Sequence, residues 1–314
     1  MQNFSHRASS LNAPHPHSDR LASTGSTATF NLIHFPLFSR ADFILFRLFG
    51  PGLGNLLFPL YRAFQSQKTL GGRLVFPQFT QLKPGPFIRM EKDKRTYFDL
   101  FERRNLADVS LHIRARFSRP ISENSFNPNG LNPGQAQIIK YEGLRGYFKD
   151  LEAQHRADFL EYLLDRASHV KDLRNDIAQI SKNDICVHLR RGDFTAEAAE
   201  GADSGGMSYR IADDWYVAAV KKARERLPDA RVRVFTDATG LERELLERLG
   251  CDVIDESQNA LHALMKMSAH GAIVASKSSF SLWSAFLGQQ RLYINKTFDV
   301  EHYLPSALLG HERV

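Results

Sequence analysis

Asp184-Ile185-Cys186-Val187-His188-Leu189-Arg190-Arg191-Gly192-Asp193-Phe194 begins as a strand and ends as a cluster of charge. Ile185, Val187 and Leu189 are apolar, and Cys186 packs as a small hydrophobe. His188, two arginines, a glycine and an aspartate then follow within seven residues. A guanidinium is a planar fork of donors that matches phosphate oxygens two at a time. In open parallel sheets, ligands bind beyond the carboxyl ends of the strands. Two readings stand on these residues. Arg190 and Arg191 hold a phosphate-bearing substrate, or they form a solvated pair braced by Asp193. An adhesive Arg-Gly-Asp tripeptide is a third reading, disfavoured because the tripeptide abuts a core strand.

Downstream the pattern is regular. Strands are expected at 184–189, 232–235, 253–254, 272–275 and 292–294. Helices are expected from Asp213 or Asp214 to Arg226, and at 241–249, 260–270 and 280–287, with a polar loop from Thr195 to Gly206. Strands alternating with helices argue for a doubly wound parallel sheet. Two more of its strand ends carry chemistry. Asp237 follows Val234-Phe235-Thr236 and could accept from a base or a ribose, or cap the next helix. Ser276-Lys277-Ser278-Ser279-Phe280-Ser281 puts hydroxyls at a helix start, where free N–H groups and the helix dipole favour an anion. That cluster exceeds what one N-cap requires. Glu256-Ser257-Gln258-Asn259 is adequately explained as a loop and cap.

Upstream the reading is coarser. Residues 1–28 are Ser-, His- and Pro-rich and are expected to be a disordered leader, in which His6, His15 and His17 lack metal-ligand spacing. Residues 43–49 read as a strand, Gly50 to Asn55 as a turn, and 56–67 as a helix with Asn55 as N-cap and Pro59 in its first turn. The turn, with Gly52, Gly54 and Asn55, either serves only the chain reversal or brings backbone N–H groups to a ligand. Residues 71–140 suggest short strands and long loops, with Leu74–Phe76 and Val109–Ile113 as apolar fragments. A helix over 151–172 joins the halves. The organisation expected is therefore a leader (1–28), an N-terminal α/β domain with the linking helix (29–172) and a C-terminal doubly wound, Rossmann-like domain (173–314).

Composition narrows the function classes. A chain of 314 residues with 43% hydrophobic content accommodates two cored domains. Lys+Arg 41 against Asp+Glu 35 leaves a formal charge of +6, which suits an anionic ligand. The cations are too dispersed for a nucleic-acid stripe. Cys186 and Cys251 make neither a disulfide scaffold nor a zinc site, and are expected to be buried free thiols in a reducing compartment. The apolar run Phe30–Phe49 is broken by His34, Pro36, Arg40, Asp42 and Arg47, whereas a membrane span needs about 20 apolar residues. No signal peptide is evident. A soluble cytoplasmic protein is expected, with a peripheral place at the membrane as the alternative.

His188-Leu189-Arg190-Arg191-Gly192-Asp193-Phe194 resembles the His-x-Arg-Arg-Gly-Asp-aromatic signature of the α-1,2-fucosyltransferases, glycosyltransferase family 11. Gly52-Leu53-Gly54-Asn55, Gly146-Tyr147-Phe148, and Met267-Ser268 with Ile273 to Leu287 are similar to further stretches of that family, in its order. The resemblance spans roughly 43–295. It implies two Rossmann-like domains facing across a cleft, the GT-B-like arrangement. It also implies GDP-fucose as donor, a galactose-containing glycan or glycolipid as acceptor, inversion, and no metal or other cofactor. By matched position Arg190 and Arg191 would hold the diphosphate, His188 and Asp237 would lie near nucleotide or sugar, and Ser278, Ser279 and Phe280 would touch phosphate and fucose. Asp193 is the candidate base, or equally a brace for the arginines. An Asp-x-Asp metal motif is absent, and Asp213-Asp214 reads as a helix start. Leu56-Leu57-Phe58-Pro59 and Ser281-Leu282-Trp283-Ser284-Ala285-Phe286 depart from the family pattern and are expected near the cleft. The alternatives are a transferase with another GDP-sugar or linkage, and a non-catalytic nucleotide-sugar or glycan-binding protein.

Overall fold

The computed structural model describes residues 31–82, 84, 88, 96–130, 136–191, 210–238, 241, 243–255, 259–303 and 311–314. The expected leader lies outside them. The N-terminal half contains, in chain order, β1 (Leu32–Leu37), β2 (Arg47–Leu48), α1 (Leu53–Leu70), β3 (Arg73–Leu74), β4 (Gln81–Leu82), α2 (Leu106–Phe117), β5 (Ile121–Ser122) and β6 (Gln137–Glu142). Its main sheet runs β3-β1-β6-β5, all parallel, with β1 paired to β6 at six positions and to β3 at two. β2 and β4 form a separate pair.

Several expectations fail here, each for a local reason. Of the strand placed at 43–49 only the two-residue β2 forms, and the rest is looped: Ile44 and Phe49 have φ 71° and 60°, and Phe43, Leu45 and Phe49 are exposed. The central strand is instead β1, despite Pro36. Val75 N–H donates to His34 O on the β3 side, so the even-numbered residues face β3. Pro36 therefore points its missing donor to that side, two residues beyond the end of the ladder, where no bond is lost. Val109–Ile113 belongs to α2, capped by Asn105 accepting from the Asp108 nitrogen at 2.8 Å. Helix α1 starts at Leu53 with Gly52 as N-cap, so Asn55 lies inside it and Pro59 falls in the second turn. The single helix expected over 151–172 is broken into a turn of 3-10 helix (Ala153–His155), α3 (Arg156–Leu164) and α4 (Val170–Ala178), with His169 left-handed at φ 52° between the last two.

The C-terminal half follows the expected alternation closely. It comprises β7 (Ile185–Leu189), α5 (Asp213–Arg224), β8 (Val232–Thr236), α6 (Arg243–Leu249), β9 (Val253–Asp255), α7 (Ala260–Ala269), β10 (Ala272–Val274), α8 (Ser279–Gly288), β11 (Arg291–Ile294), α9 (Val300–Tyr303) and β12 (His311–Arg313). The sheet order is β12-β11-β10-β7-β8-β9, parallel throughout. Strand β12 was not foreseen because His-Glu-Arg carries no apolar signal. It is an edge strand, held by Glu312 pairing with Arg291 and Arg226 at 3.0 Å each. Cys186 is buried and Cys251 half-buried, both as free thiols.

Alternation along β7 decides what each face meets. Ile185, Val187 and Leu189 pack with Val232, Val234 and residues of α5 and α6. Cys186 points the other way, into a core shared with α7, α8 and the N-terminal half. That shared core is the seam of the molecule. Trp283 of α8 lies 5.0 Å from Phe58 and 5.7 Å from Tyr61 of α1, and 4.9 Å from Phe148, by ring centroids. Aromatic pairs at such spacings add to the large area they bury. The two departures from the family pattern, expected near a cleft, are therefore seam residues: Leu56 to Pro59 and Ser281 to Phe286 are all buried.

Candidate active site at the strand ends

The pleat that sorts the core also sorts the charges after β7. Arg191 continues the face of Leu189, and its guanidinium pairs with Asp213 at the start of α5. Arg190 continues the face of Cys186 and His188 and lies 3.7 Å from Asp237 Oδ2 through Nε. Asp237 also accepts from the Arg191 backbone nitrogen at 2.6 Å, so one carboxylate at the end of β8 organises both arginines. The two guanidinia are thus aimed at opposite faces of the sheet.

His188 is buried on the α8 side. Its Nδ1 lies 2.5 Å from Ser281 Oγ and 2.9 Å from Ser276 Oγ, and the two hydroxyls are 3.3 Å apart. Burial, with Arg190 adding to it, lowers the imidazole pKa to about 4 against the opposing pull of Asp237. The ring is neutral at physiological pH and ties the ends of β7 and β10 to α8. Its neighbour is Phe280, with ring centroids 5.5 Å apart.

Two helix N-termini converge at this edge. At α8, Ser278 is the N-cap and accepts from the Phe280 nitrogen at 3.2 Å. At α1, Gly52 caps without a side chain, and the Leu53 nitrogen donates to Tyr97 Oη at 2.9 Å. Ser279 Oγ donates to Asn55 Oδ1 at 2.7 Å, joining the two helices. A Cβ on Gly54 would lie 2.8 Å from Ser279 Oγ and 2.9 Å from the Phe280 nitrogen, so only glycine permits this approach. Each N-terminus carries a partial positive charge, so the pair makes this edge favourable to an anion.

His188, Arg190, Arg191, Asp237, Ser278, Ser279, Phe280, Gly54 and Asn55 are therefore joined in one network, with Gly52 at its margin beside Tyr97. Asp193 lies outside the described residues. Sequence reasoning missed the roles of Ser281, Asp213 and Tyr97. Ser281 follows the N-cap by three residues, and that helical spacing could have flagged it as facing the strand end. Tyr97 has no local signal at all.

Residues 140–303 match glycosyl transferase family 11, just over half of the chain. The chain belongs to this family. The match takes in β7 to α8 and so every strand-end residue of the site, while the turn before α1 lies ahead of it. This family 11 protein is thereby a glycosyltransferase. No curated protein matches the chain. Among solved structures, POFUT1 in complex with GDP is similar with a TM-score of 0.45 at 12% identity, over 90% of this chain and 97% of that one. An apo form of POFUT1 gives 0.43 at 12%, over 92% and 99%. No described helix is long and apolar enough to cross a membrane.

Proposed function

We propose that this family 11 glycosyltransferase moves fucose from GDP-fucose to a galactose-containing glycan or glycolipid, with inversion, in α-1,2 linkage and without a metal. It acts in the cytoplasm, free or peripheral at the membrane, in keeping with its two free thiols. The observation that carries the reading is the meeting at one sheet edge of Arg190, held by Asp237, with the N-termini of α8 and α1, which are joined through Ser279 and Asn55.

As the bond from the sugar C1 to the β-phosphate oxygen breaks, its electron pair stays on the phosphate. Preorganised guanidinium and N–H donors stabilise that growing charge more strongly in the transition state than in the ground state. Asp237 fixes Arg190, and His188 fixes the serines, so little reorganisation is needed. The acceptor hydroxyl attacks from the opposite face and its proton passes to a base, assigned to Asp193. Arg191, tied to Asp213, positions the loop start. A related transferase with another GDP-sugar or linkage, or a nucleotide-sugar or glycan-binding protein, uses the same anion site.

The test is GDP-fucose binding and transfer to a galactoside in EDTA. Arg190→Ala is expected to lower kcat/KM by about 10²–10³-fold, the usual cost of one oxyanion-stabilising donor. Wild-type protein that neither binds nor turns over GDP-fucose sinks the donor assignment. Binding without transfer favours the binding-protein reading, and activity lost in EDTA and restored by Mn²⁺ overturns the metal-free mechanism.

A further inference from the structure

Helix α2 carries two apolar faces. On one, Leu111 and Ala115 pack against Ile33, Phe35 and Val75 of the N-terminal half. At 3.6 residues per turn, Leu106, Ser110, Ile113 and Phe117 form a second stripe on the opposite side. Leu106 is 88% exposed, Phe117 78% exposed, and Ile113 is exposed between them. A surface helix ordinarily turns polar and charged residues to that side. Single exposed apolar residues are common, whereas a stripe pointing straight away from the core marks an interaction surface.

Arginines border the stripe on both flanks. Arg116 lies on one, where its guanidinium donates to Arg40 O at 2.9 Å. The loop 40–46 runs beside α2 here: Asp42 lies 3.3 Å from His112, and Arg104 donates to Ile44 O. That loop adds Phe43 and Leu45, both exposed. Arg114 lies on the other flank. With Arg119, Ser118 and Gln137 it lines a cavity of about 320 Å³ between the end of α2 and the start of β6. Among the described residues neither Arg114 nor Arg119 pairs with a carboxylate. Asp108, the one acidic residue of α2, is engaged by Arg166 at 3.6 Å.

The pattern selects its occupant. Leu106 and Phe117 protrude about 16 Å apart along the helix axis, so they suit a soft apolar surface rather than a shaped groove. A second copy would set arginines against arginines, with the helix's one carboxylate already engaged. A bilayer answers both features: lipid phosphates meet the arginines, and the acyl boundary receives the apolar stripe.

We propose that α2, with the loop 40–46 beside it, is a membrane-docking surface that seats this protein on an anionic phospholipid bilayer, with lipid phosphate held at Arg114 and Arg119. The assignment rests on the peripheral placement proposed above and is independent of the donor. The N-terminal half then meets the bilayer, the phase in which a glycolipid acceptor resides.

The experiment is sedimentation of the full chain with vesicles of phosphatidylcholine alone or mixed with phosphatidylserine. Wild type is expected to bind the anionic vesicles, to bind neutral ones at least about 10-fold more weakly, and to be released by salt. Leu106→Ser/Phe117→Ser is expected to weaken binding by at least about 100-fold, since two apolar side chains no longer insert. Arg114→Gln/Arg119→Gln is expected to weaken it by about 30-fold. All four positions are exposed, so melting temperatures are expected to stay at the wild-type value. Ile254→Ser, at an exposed apolar residue of β9 in the other half, is expected to leave vesicle binding unchanged. If wild type binds anionic vesicles and either double variant binds them equally well, the surface assignment falls while the peripheral placement stands. If wild type binds no anionic vesicle, both fall. A wild-type dimer that Leu106→Ser/Phe117→Ser converts to monomer would assign the stripe to a second copy and overturn the proposal.

Discussion

The two sheets are built on different physical terms. In the C-terminal sheet, the central strand β7 is buried at all five positions and paired on both sides. Its order follows from apolar runs and the helices that separate them. The N-terminal sheet leans on polar contacts between residues far apart in sequence. Arg62 of α1, 3% exposed by side chain, pairs with Glu123 at 3.0 Å and donates to Glu142 O and Gly143 O, closing α1 onto the end of β6. Asp42 lies 3.3 Å from His112, which contacts Arg104 at 2.7 Å, and these hold the loop before β2. A buried ion pair with its remaining donors satisfied fixes geometry more than it adds stability. The C-terminal half thus presents its strand-end charges on an edge set by the sheet. The N-terminal half owes its shape to specific pairings, and joins the first through an aromatic seam and through polar contacts such as Asn259 with Ser168 and Ser279 with Asn55.

The seam is the first place to break that contrast. Trp283 is fully buried between Phe58, Tyr61 and Phe148. Trp283→Ala is expected to cost about 3–5 kcal/mol, the range for deleting a large aromatic from a packed core. Hydrogen exchange measured at β1 and β7 is expected to give one common unfolding free energy in the wild type and two different ones in the variant. Separate values already in the wild type would mean that the sheets are independent units and that the seam is only a contact surface.

The same contrast explains what the sequence disclosed. Ile185-Cys186-Val187, Val232-Arg233-Val234 and Ala272-Ile273-Val274 are short buried runs flanked by helical stretches, and the parallel sheet was readable from them. The strand-end residues were readable for the same reason, since parallel strands deliver their following residues to one edge. Which face each arginine takes was also latent in the pleat, once β7 was fixed at Ile185–Leu189. The N-terminal strand was misplaced because apolar content drew attention to 43–49, whose Phe43 and Leu45 are exposed. The real strand hides a proline and a buried histidine: His34 lies 3.0 Å from Tyr141 Oη through Nδ1 and 2.8 Å from Gly71 O through Nε2. Partners 107 and 37 residues away leave no local trace.

A smaller effect is the response to pH, and burial lowers His34 of the N-terminal half as well. His188 and His270 both belong to the C-terminal half, and burial lowers each to a pKa of about 4. In the unfolded chain they protonate near 6.5. Between those values the unfolded state binds more protons, so stability is full above about pH 6.5 and declines as pH falls toward 4. Each histidine is expected to account for about 2 kcal/mol of loss at pH 5. Urea unfolding at pH 7.5 and pH 5.0 checks this. His188→Asn should show a shallower loss than wild type, and an unchanged difference between the two pH values would refute the assignment.

The smallest change in stability is expected at the contact that brings the halves together over the site. Gly54 sits where α1 crosses the start of α8, and Gly54→Ala places a methyl group within 2.9 Å of the Phe280 nitrogen. The neighbouring atoms include backbone of a capped helix, so they cannot rotate away. The helices must separate by a few tenths of an ångström, at about 1–2 kcal/mol for such overpacking. Ser279 then loses its 2.7 Å bond to Asn55, and the two N-termini no longer converge on one anion. Donor affinity should therefore fall by more than the stability change alone explains, while His188 and Arg190 keep their own partners. If Gly54→Ala binds GDP as tightly as wild type, the N-terminal helix contributes nothing to the donor site, and the anion is held by the C-terminal half alone.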